Sequence, residues 1–282
     1  MKRPQMMVGA ALVAVSALLG GTAHATLSTT PVQVTIQPGP IVRDDLRALF
    51  DQAGVRGAFA LLDVSSGRVT VVDRARAERR LIPASTFKIP HALVALETGA
   101  VKDDKEVIPY GGKPQRFPEW EKDMNLGDAI RASNVPVFQT IARRIGLKRE
   151  QQWLHRLGYG NREVGGVVDT FWLEGPLEIS AVEQTRFLSR FARQQLPASV
   201  KNQRLVADML KIEEKDGYTL YGKTGWAFDV TPSVGWWVGW VERGGRLYTF
   251  ALNIDVVQDG DTGKRIPLAR DLLKRLNVLP AR

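Results

Sequence analysis

Apolar positions near the start of the chain predict a short helix followed by a pair of strands. Residues 44–53 have the spacing of an amphipathic helix. Residues 58–64 and 68–73 have strand-like composition, and Ser65-Ser66-Gly67 lies between them. A glycine-containing connection of this length indicates a β-hairpin.

The middle of the chain has the apolar spacing of helices. Residues 85–98 predict a helix that stops at Gly99. Later segments with helical spacing are 126–132, 135–145, 148–157 and 180–195. Ser180 and Glu183 form the S-x-x-E pattern of a capping box, which marks the start of the last segment.

The C-terminal third changes back to strand character. Its aromatic and β-branched runs are residues 218–222, 235–242 and 247–255. Arg243-Gly244-Gly245-Arg246 indicates a hairpin between the last two, and residues 263–276 predict a closing helix. Strands at both ends predict an α/β fold of the α+β type. In it, one antiparallel sheet built from both termini is flanked by helices, with a helical subdomain at about 100–200.

The first 25 residues have the pattern of a secretory signal peptide. Lys2 and Arg3 form a basic start, an apolar run follows, and Ala23-His24-Ala25 matches the cleavage pattern. The alternative is a retained membrane anchor, but the apolar run is short of the roughly 20 residues that span a bilayer. We therefore expect a cleaved signal at 1–25, a single domain at 26–282, and no membrane attachment after cleavage.

Composition and charge exclude several classes of protein. The formal charge is +9, but basic residues are interspersed with acidic ones, as in the segment 73–78, so we expect no nucleic acid partner. The absence of cysteine excludes disulfides, thiol nucleophiles and thiolate metal sites. Export without disulfides favours the periplasm of a bacterium.

Ser85 and Lys88 form an S-x-x-K pattern at the start of a predicted helix. Residues at this spacing share a helix face, so the lysine amine could lie beside the serine hydroxyl. A serine needs a neighbouring base to become a nucleophile, and burial of a lysine lowers its pKa toward that role. The alternatives are a chance match and a lysine that extends from a surface helix into water.

Other catalytic systems lack support in the sequence. After the signal, the only histidines are His91 and His155, and we expect both to be ordinary core or surface residues. The chain has no H-E-x-x-H, no G-x-S-x-G and no glycine-rich phosphate loop. It also has no metal-ligand cluster, so no metal is expected.

Two later motifs indicate that the S-x-x-K pattern belongs to a catalytic site. Ser133-Asn134-Val135 lies between helical segments, and Lys223-Thr224-Gly225 follows the strand-like residues 218–222. On an edge strand, the second motif offers a cation, a hydroxyl and a backbone without Cβ against which a ligand can lie. The three motifs in this order mark the penicillin-recognising serine enzymes.

From about residue 42 to its C-terminus, the chain resembles the class D (oxacillinase-type) serine β-lactamases. It is similar in particular to the chromosomally encoded oxacillinases of non-fermenting Gram-negative bacteria. Its second motif has the class D form S-x-V and departs from the class A form S-D-N. Further matching segments are Tyr159-Gly160-Asn161, Phe171-Trp172-Leu173, residues 223–226 and residues 235–240. The resemblance implies hydrolysis of penicillins and oxacillin-type compounds.

The resemblance also implies roles for individual residues. Ser85 would be the nucleophile, and Lys88 would carry a carbamate (N6-carboxylysine) and act as the general base. Trp172 would donate a hydrogen bond to that carbamate. Ser133 would relay a proton to the leaving nitrogen, with Lys223 tuning it electrostatically. Carbon dioxide or bicarbonate would be required, and no other cofactor.

Substrate binding is implied for the residues Val135, Thr224, Gly225, Trp226 and Arg265. The backbone N–H groups of Ser85 and Trp226 would form the oxyanion hole. Thr224 and Arg265 would hold the substrate carboxylate, which an arginine fork matches in a bidentate manner. Arg270 is the alternative for this arginine.

Two other functions fit the same motifs. One is a β-lactam sensor domain that binds without hydrolysis, and the other is a D-alanyl-D-alanine peptidase. The partner we expect is a small β-lactam molecule, and the protein is either a monomer or a homodimer.

Overall fold

A central seven-stranded sheet organises the computed structural model, which describes residues 39–281. The signal predicted at 1–25 lies outside the described residues. The strands are β1 (Ile41–Val42), β2 (Gly57–Asp63), β3 (Arg68–Val72), β4 (Lys211–Lys215), β5 (Tyr218–Ala227), β6 (Val234–Arg243) and β7 (Arg246–Asp255). Their order across the sheet is β1-β3-β2-β7-β6-β5-β4.

Helices cover both faces of this sheet. They are α1 (Arg47–Ala53), α2 (Arg74–Glu78), α3 (Lys88–Glu97), α4 (Leu126–Arg131), α5 (Val135–Ile145), α6 (Leu147–Leu157), α7 (Ala181–Ala192), α8 (Val200–Met209) and α9 (Arg265–Arg275). Short 3₁₀ helices lie at Asp44–Leu46, Ala84–Phe87, Pro118–Trp120 and Asp259–Lys264. The capping box predicted at Ser180 and Glu183 begins α7 and is confirmed.

The sheet is assembled from both ends of the chain, as predicted. C-terminal β7 pairs antiparallel with N-terminal β2, and β6 and β5 follow in antiparallel order. The described strands depart from the predicted antiparallel sheet at one place, where β1 pairs with β3 in parallel. β1, β4, α2 and α8 are additional elements, since their short or highly charged sequences gave no clear apolar period.

Two hydrophobic cores lie on opposite faces of the sheet. Trp236 and Trp240 join the core beneath helices α3 to α8, whereas Trp237 joins the core beneath α1 and α9. This alternation follows from the period of two in β6. All three tryptophans are buried. No helix within residues 39–281 is long and apolar enough to cross a membrane.

Gly239 allows the close approach of β5 and β6 at the centre of the sheet. A Cβ at this position would lie 2.0 Å from the carbonyl oxygen of Tyr221 and 2.9 Å from the ring of Phe250. We expect Gly239→Ala to lower the free energy of unfolding by about 2 kcal/mol, because the added methyl overpacks the sheet. Urea denaturation measures this change. The control is Gly166→Ala, where a Cβ would meet no atom within 4 Å; equal losses in both variants would contradict the explanation.

Candidate active site

Ser85 lies in a tight turn that faces the sheet, and not in the α-helix itself. The sequence predicted a helix from residue 85, but residues Ala84–Phe87 form a 3₁₀ turn and α3 begins at Lys88. Ala84 has a φ of 48°, which is uncommon for a residue with a Cβ. Its N–H donates to the carbonyl of Trp172 at 2.9 Å, which holds the turn in place.

Lys88 lies directly beside the Ser85 hydroxyl. Its Nζ is 2.9 Å from Ser85 Oγ, and the lysine side chain is fully buried. Burial, together with the positive charge of Lys223, holds the pKa of Lys88 well below its ordinary value. The environment therefore favours the neutral amine, which has a lone pair for a proton or an electrophile.

Trp172 is fully buried close to this pair, and its indole N–H has no hydrogen-bond partner among residues 39–281. The ring packs against Phe87 at 5.8 Å and against Phe171 at 5.0 Å between centroids. Buried N–H groups nearly always have an acceptor. The Trp172 N–H is thus suited to bind an acceptor that the unmodified side chains do not supply.

Ser133 and Lys223 form a second serine–lysine pair. Lys223 Nζ lies 2.5 Å from Ser133 Oγ and also donates to the carbonyl of Thr224 at 2.9 Å. Burial and the charge of Arg265 lower the pKa of Lys223 to about 7. Asn134, between Ser133 and α5, caps that helix by accepting from the N–H of Val137. This cap fixes the direction from which Ser133 enters the site.

The K-T-G motif lies within β5, on a segment of open strand edge. The sequence placed it after a strand at 218–222, but β5 continues to Ala227. β4 pairs only with residues 218–221, so the second half of β5 faces the Ser85 turn. A Cβ on Gly225 would lie 3.0 Å from the carbonyl oxygen of Pro83. Any other residue would press its Cβ against the turn, so glycine lets the strand pass close to it.

Arg265 reaches the site, and Arg270 does not. Arg265 donates through Nη1 to the carbonyl of Gly225 at 2.6 Å and through Nε to that of Thr262 at 2.6 Å. Burial lowers the pKa of Arg265 to about 10, so it stays protonated at neutral pH. Arg270 pairs instead with Glu213 at 2.7 Å.

An open cleft of about 260 Å³ lies over these groups. The predicted residues on its lining are Ser85, Ser133, Val135, Thr224, Gly225, Trp226 and Arg265. Lys88, Trp172 and Lys223 are absent from the lining and lie behind it. Sequence reasoning missed the aromatic and apolar wall formed by Phe117, Trp120, Leu173 and Phe228. These residues belong to no motif, and only their position in the fold brings them to the cleft.

The Tyr159-Gly160-Asn161 segment is hydrogen-bonded to two parts of the chain that build the site. Gln184 Nε2 donates to Thr86 Oγ1 at 2.9 Å and to the Tyr159 hydroxyl at 3.3 Å, so Tyr159 connects to the Ser85 turn. Asn161 Nδ2 donates to the carbonyl of Pro176 at 2.7 Å, in the loop that carries Trp172. His155 is exposed and His91 is buried. The described part of the chain contains no cluster of residues suited to a metal ion.

Comparison with protein families and curated proteins gives one consistent result. Residues 57–274 match the family described as penicillin binding protein transpeptidase domain. The chain is 44% identical to the β-lactamase OXA-5 of Pseudomonas aeruginosa over 230 residues, which are 80% of this chain and 85% of that protein. It is 40% identical to the β-lactamase OXA-48 of Klebsiella pneumoniae over 205 residues, covering 73% and 77%.

Solved structures show the same likeness. The class D β-lactamase FUS-1 (OXA-85) of Fusobacterium nucleatum subsp. polymorphum aligns with a TM-score of 0.81 at 38% identity, covering 84% of this chain and 99% of that one. The class D β-lactamase YbXI from Nostoc aligns with a TM-score of 0.80 at 40% identity, covering 83% and 99%.

The lowered pKa of Lys223 predicts how stability depends on pH. The pKa of Lys223 is about 7 in the folded protein, against its ordinary value of 10.5 in the unfolded chain. Between pH 7 and pH 10.5 the unfolded chain therefore binds more protons at this lysine than the folded protein does. Stability therefore rises with pH across that window, by up to about 1.4 kcal/mol per pH unit from one group. We expect Lys223→Met to weaken the rise in unfolding free energy measured between pH 7.5 and 9.5. The control is Lys201→Met, an exposed lysine on α8; equal slopes in wild type and Lys223→Met would refute the assignment.

Proposed function

The chain belongs to the class D serine β-lactamases, and we propose that it hydrolyses penicillins, including oxacillin-type compounds, through an acyl-enzyme on Ser85. The observation that carries this proposal is a fully buried lysine with a strongly lowered pKa, 2.9 Å from the serine hydroxyl. A base of this kind can activate the serine without any histidine.

The position of Lys88 also supports its modification by carbon dioxide. A neutral primary amine attacks carbon dioxide to form a carbamate and releases one proton. The surroundings fit the product, because the buried N–H of Trp172 lacks an acceptor and could donate to a carbamate oxygen. When present, the carbamate supplies an oxygen base that can accept a proton in both acylation and deacylation.

Acylation then follows from the two serine–lysine pairs. Ser85 Oγ loses its proton to the modified Lys88 and bonds to the lactam carbonyl carbon. The developing oxyanion accepts hydrogen bonds from the backbone N–H groups of Ser85 and Trp226. Ser133 donates its hydroxyl proton to the lactam nitrogen as the C–N bond breaks. Lys223, 2.5 Å away, returns a proton to Ser133. The proton that Lys88 took from Ser85 then passes through solvent to Lys223, which restores both lysines before deacylation.

Deacylation uses the same base. A water molecule gives a proton to the modified Lys88, and the resulting hydroxide attacks the ester carbonyl of the acyl-enzyme. The ester bond breaks, and Ser85 Oγ takes back the proton that the modified Lys88 accepted from water. The sum of both steps is the addition of water across the lactam amide. This second step separates a hydrolase from a sensor domain, which would remain acylated.

Arg265 and Thr224 are suited to hold the carboxylate of the substrate. Both line the cleft beside Ser85, and the guanidinium remains protonated at neutral pH. The aromatic wall opposite them offers an apolar surface for the substrate side chain. We place the mature enzyme in the periplasm, after removal of the signal predicted at 1–25.

Hydrolysis of a chromogenic cephalosporin by the purified protein tests the proposal. We expect turnover that increases when bicarbonate is added, because bicarbonate supplies the carbon dioxide that modifies Lys88. Lys88→Ala should lower kcat/KM by about 10³-fold, the contribution typical of a general base. A stoichiometric acyl adduct on Ser85 of the wild type without turnover would establish a sensor instead. Unchanged turnover in Lys88→Ala would eliminate the proposed base.

The two arginines near the C-terminus provide a matched test of substrate binding. Arg265→Ala should raise KM for penicillins by about 10- to 100-fold, because the substrate carboxylate loses a charged hydrogen-bond donor. Arg270→Ala should leave KM near the wild-type value, since Arg270 pairs with Glu213 outside the cleft. Steady-state kinetics with benzylpenicillin distinguish the two. A larger effect at Arg270 would overturn the assignment.

A further inference from the structure

His91 and Glu150 form a buried pair for which the mechanism above has no use. His91 lies on α3 and Glu150 near the start of α6, and both side chains are fully buried. His91 Nε2 is 2.8 Å from Glu150 Oε1, a hydrogen-bond distance, although the ring N–H does not point well along this line. Within residues 39–281 the side-chain nitrogen and oxygen atoms of both residues lack a hydrogen-bond partner, so the contact between them is a close approach of polar atoms. Each group therefore depends on the other for compensation of its burial.

The pair lies against the residues that surround Lys88. The His91 ring packs edge-on against the Trp172 ring, with centroids 5.0 Å apart, and against Phe138 at 5.5 Å. Phe138 in turn lies 5.0 Å from Lys88 Nζ. His91 also follows Lys88 by one turn on α3, which places both side chains on the same helix face.

We propose that His91 and Glu150 are positioning residues that hold Trp172 in the orientation in which its N–H serves Lys88. Glu150 restrains rotation of the His91 ring, and the ring fixes the edge of the Trp172 indole. This inference rests on the proposed modification of Lys88 by carbon dioxide. It adds that the stability of the modified lysine depends on two residues that contact neither the substrate nor Lys88 Nζ.

A rival explanation is that the pair simply joins α3 to α6. A joining role would affect folding stability, whereas the positioning role also changes the affinity of Lys88 for carbon dioxide. Half-saturation of turnover by bicarbonate reports that affinity. The ¹³C NMR signal of the carbamate, after addition of ¹³C-bicarbonate, reports it without any substrate.

Glu150→Leu and Glu150→Gln separate the two roles. Leucine removes the oxygen that lies 2.8 Å from His91 Nε2, whereas glutamine keeps a carbonyl oxygen at the same place and cannot ionise. We expect Glu150→Leu to raise the half-saturating bicarbonate concentration by about tenfold. This is the effect of weakening one hydrogen bond to a charged group, here the bond from the Trp172 N–H to the carbamate on Lys88. Glu150→Gln should stay within about twofold of wild type, and saturating bicarbonate should restore kcat in Glu150→Leu. Gln152→Leu, an exposed change on the same helix, is the control.

Three outcomes would overturn the inference. The first is an unchanged bicarbonate dependence in Glu150→Leu. The second is a loss of kcat in that variant that saturating bicarbonate does not restore. The third is an equal shift in Glu150→Gln, which would show that an oxygen beside His91 Nε2 is not enough to hold the ring. His91→Ala, checked for folding by its thermal transition, should shift in the same direction as Glu150→Leu. A wild-type protein with neither a carbamate signal nor a bicarbonate response would instead refute the proposed modification itself.

Discussion

The burial of Lys88 without a carboxylate partner is the constraint on which the rest of the site depends. Taking an ammonium out of water is costly, so a buried lysine becomes neutral unless a nearby acid compensates its charge. Across residues 39–281 no carboxylate lies within salt-bridge distance of this amine. The enclosing fold thus favours the neutral, nucleophilic form of the amine, and the Ser85 hydroxyl is its hydrogen-bond partner within residues 39–281.

The other cations of the site strengthen this effect. Lys223 contributes to lowering the pKa of Lys88, and Arg265 contributes to lowering that of Lys223. Bringing three basic side chains together is unfavourable for folding, because the charge of Lys223 opposes protonation of Lys88 and the charge of Arg265 opposes protonation of Lys223. The same field favours an anionic substrate in the cleft and an anionic modification of Lys88. The folded protein is therefore less stable than it would be with apolar residues in this site. The lost stability is the cost of charged groups that the proposed function uses.

Sequence patterns anticipated the sheet from both termini, most helices and the polar residues of the site. They were correct where a contact is local, as for the placement of Lys88 beside Ser85 at one-turn spacing and for the capping box of α7. They failed where the extent of an element depends on pairing with a strand that is distant in sequence. The continuation of β5 to Ala227 is stabilised by β6, and no local preference revealed it. The cleft wall at Phe117 and Phe228 is equally a product of distant chain segments.

His91 illustrates a deeper limit of sequence reasoning. The expectation that it is an ordinary buried or surface residue agrees with its lack of contact with the cleft. Yet its ring touches Trp172, its nitrogen faces Glu150 from another helix, and Tyr159 and Asn161 support the site in a similar way. In the proposed mechanism the motif residues carry out the chemistry, and buried neighbours distant in sequence pack around them and position them. Substitutions among those neighbours can therefore change reactivity at Lys88 and Ser85 without altering any atom that meets the substrate.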